Sequence, residues 1–344
     1  MRTLQSPKFL KVFSTFFAHN MSGLISIIIP HFNRTTLLAQ TVESVKQQGY
    51  RKWEIIIVDD QSEEEEWQQL LQYASDKIKI IQRKEGIKGP SACRNLGVIE
   101  ATGEYLLFLD SDDLLAPHCL QQRVDAMKQN PDLDAGVFLM EQFERHPGDN
   151  KEVFNTRMDK GGWIAAFIEN SNPWNVTCPI WRKDSFEKIG GFDDSFLYME
   201  DPDLHLRALY AALCFQTFYN LPPDCFYRAH HFDETKTAFY RNSILYRIRF
   251  YRKLTSGYYD DDFIMQHTNS IKKGVNQLIR TFLFSRRRQY PALFDELTEW
   301  MKSSGLYSSS EIFRYKFLLN TGNTKNRLLQ TLKIKGICYN LLPV

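Results

Sequence analysis

At 344 residues the chain is long enough for two domains, or for one domain with a large appendage. A hydrophobic content of 43% and an aromatic content of 14% allow a sizeable core, so the chain reads as globular. Net charge is only +2, but from residue 235 onward 19 Lys and Arg face 7 Asp and Glu, against 24 and 34 in the remainder. An acidic front and a basic back imply two regions with different partners.

Six scattered cysteines with no C-x-x-C pair suit reduced thiols in a cytoplasm better than a disulfide framework or a zinc site. No run approaches the roughly 18 apolar residues needed to cross a bilayer. Residues 1–22 look separable. Phe9, Leu10, Val12, Phe13, Phe16 and Phe17 interleave with Lys8 and Lys11, mostly on one helical face. Lys11 interrupts the apolar stretch and no small-residue cleavage site follows, which argues against a secretory signal. Two readings stay open: an amphipathic membrane-surface helix, or an extension upstream of a start at Met21.

From Leu24 the pattern sharpens. Leu24 to Ile29 is a β-branched strand ended by Pro30, and residues 35–48 carry Leu37, Leu38, Val42 and Val45 at helical spacing. A second strand over 54–58 ends at Asp59-Asp60. A helix follows at 67–73, a strand at 78–81, a helix at 91–101 and a fourth strand at 105–109. Pro117 suits the first turn of another helix, and 135–140 reads as a fifth strand. Strands alternating with helices make an α/β domain with a doubly wound, mostly parallel sheet. The acids at 59–60 and at 110–113 then fall on one edge of it, where open α/β sheets bind ligands.

The fourth strand stops at Asp110-Ser111-Asp112-Asp113. Three carboxylates there repel one another unless a cation neutralises them, and a divalent metal carrying a phosphorylated ligand would do so. A solvated acidic turn capping the next helix is the plainer reading, and the stretch alone leaves both open. The chain has no G-x-x-x-x-G-K-[ST] and no G-x-G-x-x-G after its first strand, so neither a P-loop nor a dinucleotide fold is supported. A phosphatase would place its D-x-D after the first strand, not the fourth.

Ile25-Ser26-Ile27-Ile28-Ile29-Pro30-His31-Phe32-Asn33, Ile56-Ile57-Val58-Asp59-Asp60-Gln61-Ser62, Ala92-Cys93-Arg94-Asn95 and Leu109-Asp110-Ser111-Asp112-Asp113 resemble the family-2 glycosyltransferases. Ile189-Gly190-Gly191-Phe192-Asp193, Glu200-Asp201 and Tyr227-Arg228-Ala229-His230 continue the pattern in order, so the resemblance covers roughly residues 24–232. His31, Cys93 and the glycine-free Ala211-Ala212 depart from the usual pattern.

The resemblance implies a GT-A fold and transfer of a sugar, with inversion, from a nucleotide diphosphate donor, here UDP-linked, to an acceptor hydroxyl. It implies that Pro30, Phe32, Asn33, Asp59 and Asp60 hold the base, that Arg94 contacts the donor, and that Asp110, Asp112 and Asp113 surround the ribose and diphosphate. Asp112 and His230 would ligate the metal, Mn2+ or Mg2+, which stabilises the departing diphosphate. Asp201 would be the general base and Glu200 its helper. On their own, acids at a helix start are explained by the macrodipole, and a lone His is more often structural.

On this reading residues 1–22 are an extension and 23–234 a catalytic domain, with a donor half to about 113 and an acceptor half to about 234. Residues 235–344 form a basic helical region, with helices expected at 239–254, 264–284 and 292–301. The segment 141–174 shows little pattern and is expected to be acceptor-facing loop, its Trp163 and Trp174 either stacking on sugars or packing in the core. A helical appendage is the simpler account of the C-terminal region. The sharper one is peripheral docking of its basic, aromatic surface on the inner face of the membrane, near a glycan or lipid-linked acceptor of surface polysaccharide synthesis. No motif supports nucleic acid as partner. A catalytically silent scaffold that binds nucleotide sugars or glycans is the alternative, and the intact carboxylate set argues against it.

Overall fold

A computed structural model describes residues 23–155, 160–229, 237–323 and 333–343. The amphipathic reading of residues 1–22 and the ligand role of His230 lie outside the described residues. The described chain divides into two compact units, one built from 23–155, 174–195 and 207–229, the other from 160–173, 196–206 and the segment beyond 237.

The first unit alternates strand and helix. In chain order it runs β1 (Ile25–His31), α1 (Thr35–Lys46), β2 (Trp53–Asp59), α2 (Glu64–Leu71), β3 (Ile78–Gln82), α3 (Pro90–Glu100) and β4 (Tyr105–Phe108). β5 (Leu114–Leu115), α4 (Cys119–Gln129), β6 (Ala135–Val137) and β7 (Met140–Phe143) follow. The main sheet has seven strands in the order β3-β2-β1-β4-β8-β6-β9, where β8 is Pro179–Arg182 and β9 is Phe215–Thr217. β3, β2, β1 and β4 are parallel, and only β8 runs against its neighbours. β1 and β2 are almost wholly buried, as strands covered on both faces must be, and this is why they read as continuous Ile and Val runs. α3 lies close on β1. A Cβ at Gly97 would stand 2.4 Å from Ile28 Cγ2, so no larger residue fits at this crossing.

The sequence places the end of the first strand at Pro30, yet β1 continues to His31. Along a strand, N–H groups point alternately to the two neighbours. Ile28 O accepts from Leu109 on the β4 side and His31 O accepts from Asp60 on the β2 side, so the position of Pro30 faces β4. β4 pairs with β1 only as far as Phe108 opposite Ile28. The proline therefore lacks a donor where no ladder partner remains.

The expected fifth strand over 135–140 is two strands in different sheets. β6 stays in the main sheet, while β7 joins a three-stranded sheet, β5-β10-β7, with β10 at Cys225–Arg228. The segment expected as loop at 141–174 also holds α5 (Lys160–Ile168). That helix is apolar nearly all round, so it has no amphipathic stripe for a periodicity reading to find. Trp163 and Trp174 are 2% and 0% exposed, which makes both core residues. α6 (Lys183–Lys188) completes the side of the main sheet, with Phe186 5.0 Å from Phe108.

In the second unit, α7 (Glu200–Tyr210) contributes its first turns, followed by α8 (Thr237–Leu254) and α9 (Asp261–Leu278). α9 continues into a π-turn at Ile279–Leu283, and then come α10 (Pro291–Ser303), α11 (Ser309–Gly322) and α12 (Ile334–Asn340). Asp203 of α7 pairs with Lys253 of α8 at 2.6 Å, and Tyr251 donates to Ile168 O at 3.1 Å. Ser308 and Glu311 form a reciprocal capping box at the start of α11.

Candidate active site

The strand order 3-2-1-4 reverses direction between β1 and β4, and a crevice opens at the carboxyl ends of such strands. The loop after β1, the turn after β2 and the acidic turn after β4 all meet there. Each is held by side chains from another segment.

The β1 loop is fixed by a buried pair. His31 Nδ1 lies 3.0 Å from Asp59 Oδ1, and both side chains are fully buried. Arg34 N–H donates to His31 Nε2 at 3.3 Å. A backbone N–H can only donate, so Nε2 is the acceptor and Nδ1–H points to the carboxylate. Asp59 also accepts from the Ser62 amide at 3.0 Å and from its hydroxyl. Burial alone would raise the pKa of Asp59, but the His31 and Ser62 hydrogen bonds outweigh burial and hold it below the ordinary carboxylate value. Asp59 is thus engaged in holding the loop, which gives His31, a departure from the usual pattern, a structural role.

Phe32 is left 44% exposed at the tip of this loop, with Lys88 Nζ 4.2 Å over its ring. Asn33 has φ +48, a left-handed conformation that Asn tolerates better than most residues. Its amide donates to Ser62 Oγ and its side-chain oxygen accepts from Glu63 N–H, each at 2.9 Å. Pro30 is partly buried beneath. Asp60, 6% exposed, accepts from Arg83 and, at 2.7 Å, from the Gly89 amide, and so secures the 83–89 loop at the start of α3. Cys93, buried beside it, has its thiol pushed up to about 12, first by burial and then by Asp60, and stays a thiol at neutral pH.

The acidic turn is anchored at both ends, by Leu109 in the main sheet and by Leu114 opposite Phe226 in the small one. Each outer acid meets an arginine: Arg94 Nη2 lies 2.7 Å from Asp110 Oδ1, and Arg34 Nη1 lies 2.7 Å from Asp112 Oδ2. Arg94 is 2% exposed and rests 5.2 Å over Phe192, so it is no surface cation. Asp113 is 1% exposed. Its Oδ1 accepts from Arg228 N–H at 3.0 Å, while its Oδ2 is buried with no hydrogen-bond partner. Burial, then Asp110 and Asp112, raise its pKa well above the ordinary value. Tyr227 next to Arg228 is also raised, by burial first and then by the same three acids.

An orphaned buried carboxylate oxygen beside two further acids is a donor set of hard oxygens, and it fits Mg2+ or Mn2+. Among the described residues no three His, Cys, Asp or Glu side chains already converge as a metal cage.

The glycine pair of the Ile189–Asp193 motif has φ +77 and +69. A Cβ at Gly191 would lie 2.7 Å from Asn95 Oδ1, which itself accepts from Phe192 N–H at 2.9 Å. Arg207 closes the same turn through Ile189 O and Gly191 O at 2.8 and 2.7 Å. Phe192 is thereby set under Arg94. Sequence reading did not single out Arg34, Arg83, Asn95 or Arg207 for these roles. Their partners are between 16 and 97 residues away, and nothing local marks them.

Residues 26–185 match the sequence model of Glycosyl transferase family 2. Those residues are a family-2 glycosyltransferase domain. The match ends before Glu200-Asp201 and Tyr227-Arg228. Escherichia coli UDP-Glc:alpha-D-GlcNAc-diphosphoundecaprenol beta-1,3-glucosyltransferase WfgD is 32% identical over 107 residues, which is 31% of this chain and 42% of that protein. A Campylobacter jejuni GalNAc(5)-diNAcBac-PP-undecaprenol beta-1,3-glucosyltransferase is 38% identical over 93 residues, 26% of this chain and 30% of the relative. The chain thus spans less than half the length of either relative.

Among solved structures, S. aureus TarS 1–349 with UDP-GlcNAc superposes with a TM-score of 0.62 at 15% identity, covering 92% of this chain and 89% of that one. A Pyrobaculum calidifontis mannosyltransferase with GDP-Man and Mn2+ gives 0.52 at 14% identity, over 97% and 94%. Similarity at this identity concerns the fold. The fold of this domain is GT-A.

In the second unit, Glu200 and Asp201 open α7, where the helix dipole favours acids. The residue before them, Met199, has φ +71, and its carbonyl accepts from Asp203 N–H at 3.1 Å. A non-glycine residue held there costs of order 1–3 kcal/mol, and such strain is concentrated at functional sites.

Proposed function

We propose that this chain moves a sugar from a UDP-linked donor to an acceptor hydroxyl, with inversion at the anomeric carbon, in the synthesis of a surface glycan. The observation that carries the reading is the acidic turn at the sheet's switch point, with an orphaned buried carboxylate oxygen and two arginines against its outer acids. The exposed Phe32 ring offers a stacking face for a pyrimidine, and by the resemblance Asn33 and Asp60, now held by Glu63 N–H and by Arg83 and the Gly89 amide, would meet its polar edge. Arg94 and Arg34 would bring positive charge to the diphosphate, steadied by Asp110 and Asp112 until the donor arrives.

Asp112, with His230 by the family resemblance, would hold a divalent cation. When bound, that cation supplies Lewis-acid charge for the leaving diphosphate. Asp113 would act from behind as a buried carboxylate, and the ribose hydroxyls would meet Asp110. In the reaction the acceptor oxygen forms a bond to the anomeric carbon as the bond to the β-phosphate oxygen breaks. The acceptor proton passes to Asp201, oriented by Glu200, and UDP leaves with the electron pair. These last assignments rest on the resemblance and on the strained turn at Met199.

The relatives named above act on diphosphoundecaprenol-linked sugars, which supports a lipid-linked acceptor and work at the inner face of a membrane. No helix among the described residues is long and apolar enough to cross one.

Asp201→Asn tests the reading against a silent scaffold. A general base contributes about 10²–10⁴-fold. The variant is expected to lose transfer or donor hydrolysis by that factor, measured as UDP release, and to bind UDP as wild type does. Wild-type chain that releases no UDP from any nucleotide sugar in a broad panel would instead support the scaffold.

A further inference from the structure

The second unit leaves unusual apolar surface on its last two described helices. α11 buries Tyr315, Leu318, Leu319 and Gly322. At 100° per residue these define one inward stripe, and Phe313 and Phe317 point almost directly opposite. They are 70% and 55% exposed, with rings stacked at 6.3 Å. Outward positions of a packed helix are ordinarily polar.

The neighbouring α12 repeats the pattern. It buries Cys338 and exposes Ile337 and, one turn on, Leu341, at 49% and 51%. Arg314 Nη2 donates to Leu341 O at 2.6 Å, joining the two helices beside the exposed rings. Arg314 and Lys316 lie between Phe313 and Phe317 in the chain and, at 100° per residue, to either side of the ring pair around α11, and Lys333 and Lys335 stand at the start of α12. The only acid among the described residues of 309–343 is Glu311, paired with Lys272 at 2.7 Å. An apolar centre edged by cations complements a bilayer with anionic headgroups.

We propose that α11 and α12 form a membrane-docking face, with Phe313 and Phe317 entering the acyl boundary of an anionic bilayer and the lysines meeting its headgroup phosphates. The proposal extends the lipid-linked acceptor reading, but it stands on the exposure and charge of this unit alone. Lipid phosphate and free phosphate share the charge contacts. Only a bilayer also takes the two rings.

The full chain is floated with vesicles of phosphatidylcholine alone or mixed with phosphatidylglycerol, and compared with the double variant Phe313→Ser, Phe317→Ser. Wild type is expected to float with the mixed vesicles only, the more weakly as salt rises. The double variant is expected to partition about 10-fold less or worse while binding UDP unchanged. Wild type that stays unbound, or a variant that floats as well as wild type, overturns the proposal. So does a dimer in sedimentation that the double substitution abolishes, since a second copy would then be the occupant. Flotation intact in a chain that binds no nucleotide would count against the proposed function and leave the docking face standing.

Discussion

Asp113 shows how much one carboxylate can reveal. It is buried, Arg228 N–H satisfies one oxygen, and nothing satisfies the other. Its folded pKa is raised, so between the ordinary carboxylate value and that raised value the folded state binds more protons than the unfolded one. Stability of the ligand-free protein must then fall as pH rises through that window. Asp113→Asn keeps the oxygen that accepts from Arg228 and removes the charge. Melting curves over a pH series, without divalent cation, are expected to show a higher Tm for the variant at neutral pH. The gap should close as pH falls toward the ordinary carboxylate range. Asp59 has the opposite sign, since its lowered pKa contributes stability above about pH 4 that acidification removes. The sequence made the acids at 110–113 and 59–60 visible because each follows an apolar strand. It could not show that Asp59 is closed off by His31, because 28 residues separate them and a histidine carries no local signal of its partner.

At the scale of elements, two contacts set the frame of the site. Arg123 on α4 reaches Asp224 through Nε and Nη2 at 2.9 and 2.7 Å and donates to Thr177 O at 2.8 Å, with neither side chain exposed. It fixes the entry to β10 and therefore the backbone of Arg228 that holds Asp113. Asp224→Ala would leave a buried guanidinium unpaired, at a cost of about 3–5 kcal/mol in chemical denaturation.

The end of α7 makes a smaller case. Ala212 has φ +57, the left-handed cap conformation that glycine adopts without a Cβ penalty. Ala212→Gly is expected to stabilise by about 0.5–1 kcal/mol, the relief of the left-handed strain less the added chain entropy. A loss of stability in the melt would contradict that balance. The alternating helices and strands were readable because their apolar periods differ. The second sheet was not, since β5 and β10 are two and four residues long and pair Leu115 with Cys225 and Leu114 with Phe226, far apart in the chain. α11 was also missed, although its Ser308–Glu311 capping box is spelled out in the chain, because its two outward phenylalanines blur the amphipathic period.

At the scale of the whole molecule, the uneven charge seen in the composition has a structural counterpart. The acidic front contains the sheet and the acidic turn of a GT-A fold, and the basic back is a helical unit with cations and apolar residues on its last described helices. Fold class, and the placing of both acid groups at the carboxyl ends of strands of one sheet, followed from sequence, because strand order and crossover handedness leave few topologies open. The arginines paired with Asp110 and Asp112 did not, because 16 and 78 residues separate them from those acids.

Calorimetric titration of UDP into the full-length chain, with and without Mn2+, addresses the central claim most directly. Saturable binding that strengthens with the metal, and that Asp112→Asn weakens in its presence, is the predicted result. Absence of binding by UDP and by every other nucleoside diphosphate, with or without metal, would contradict the account.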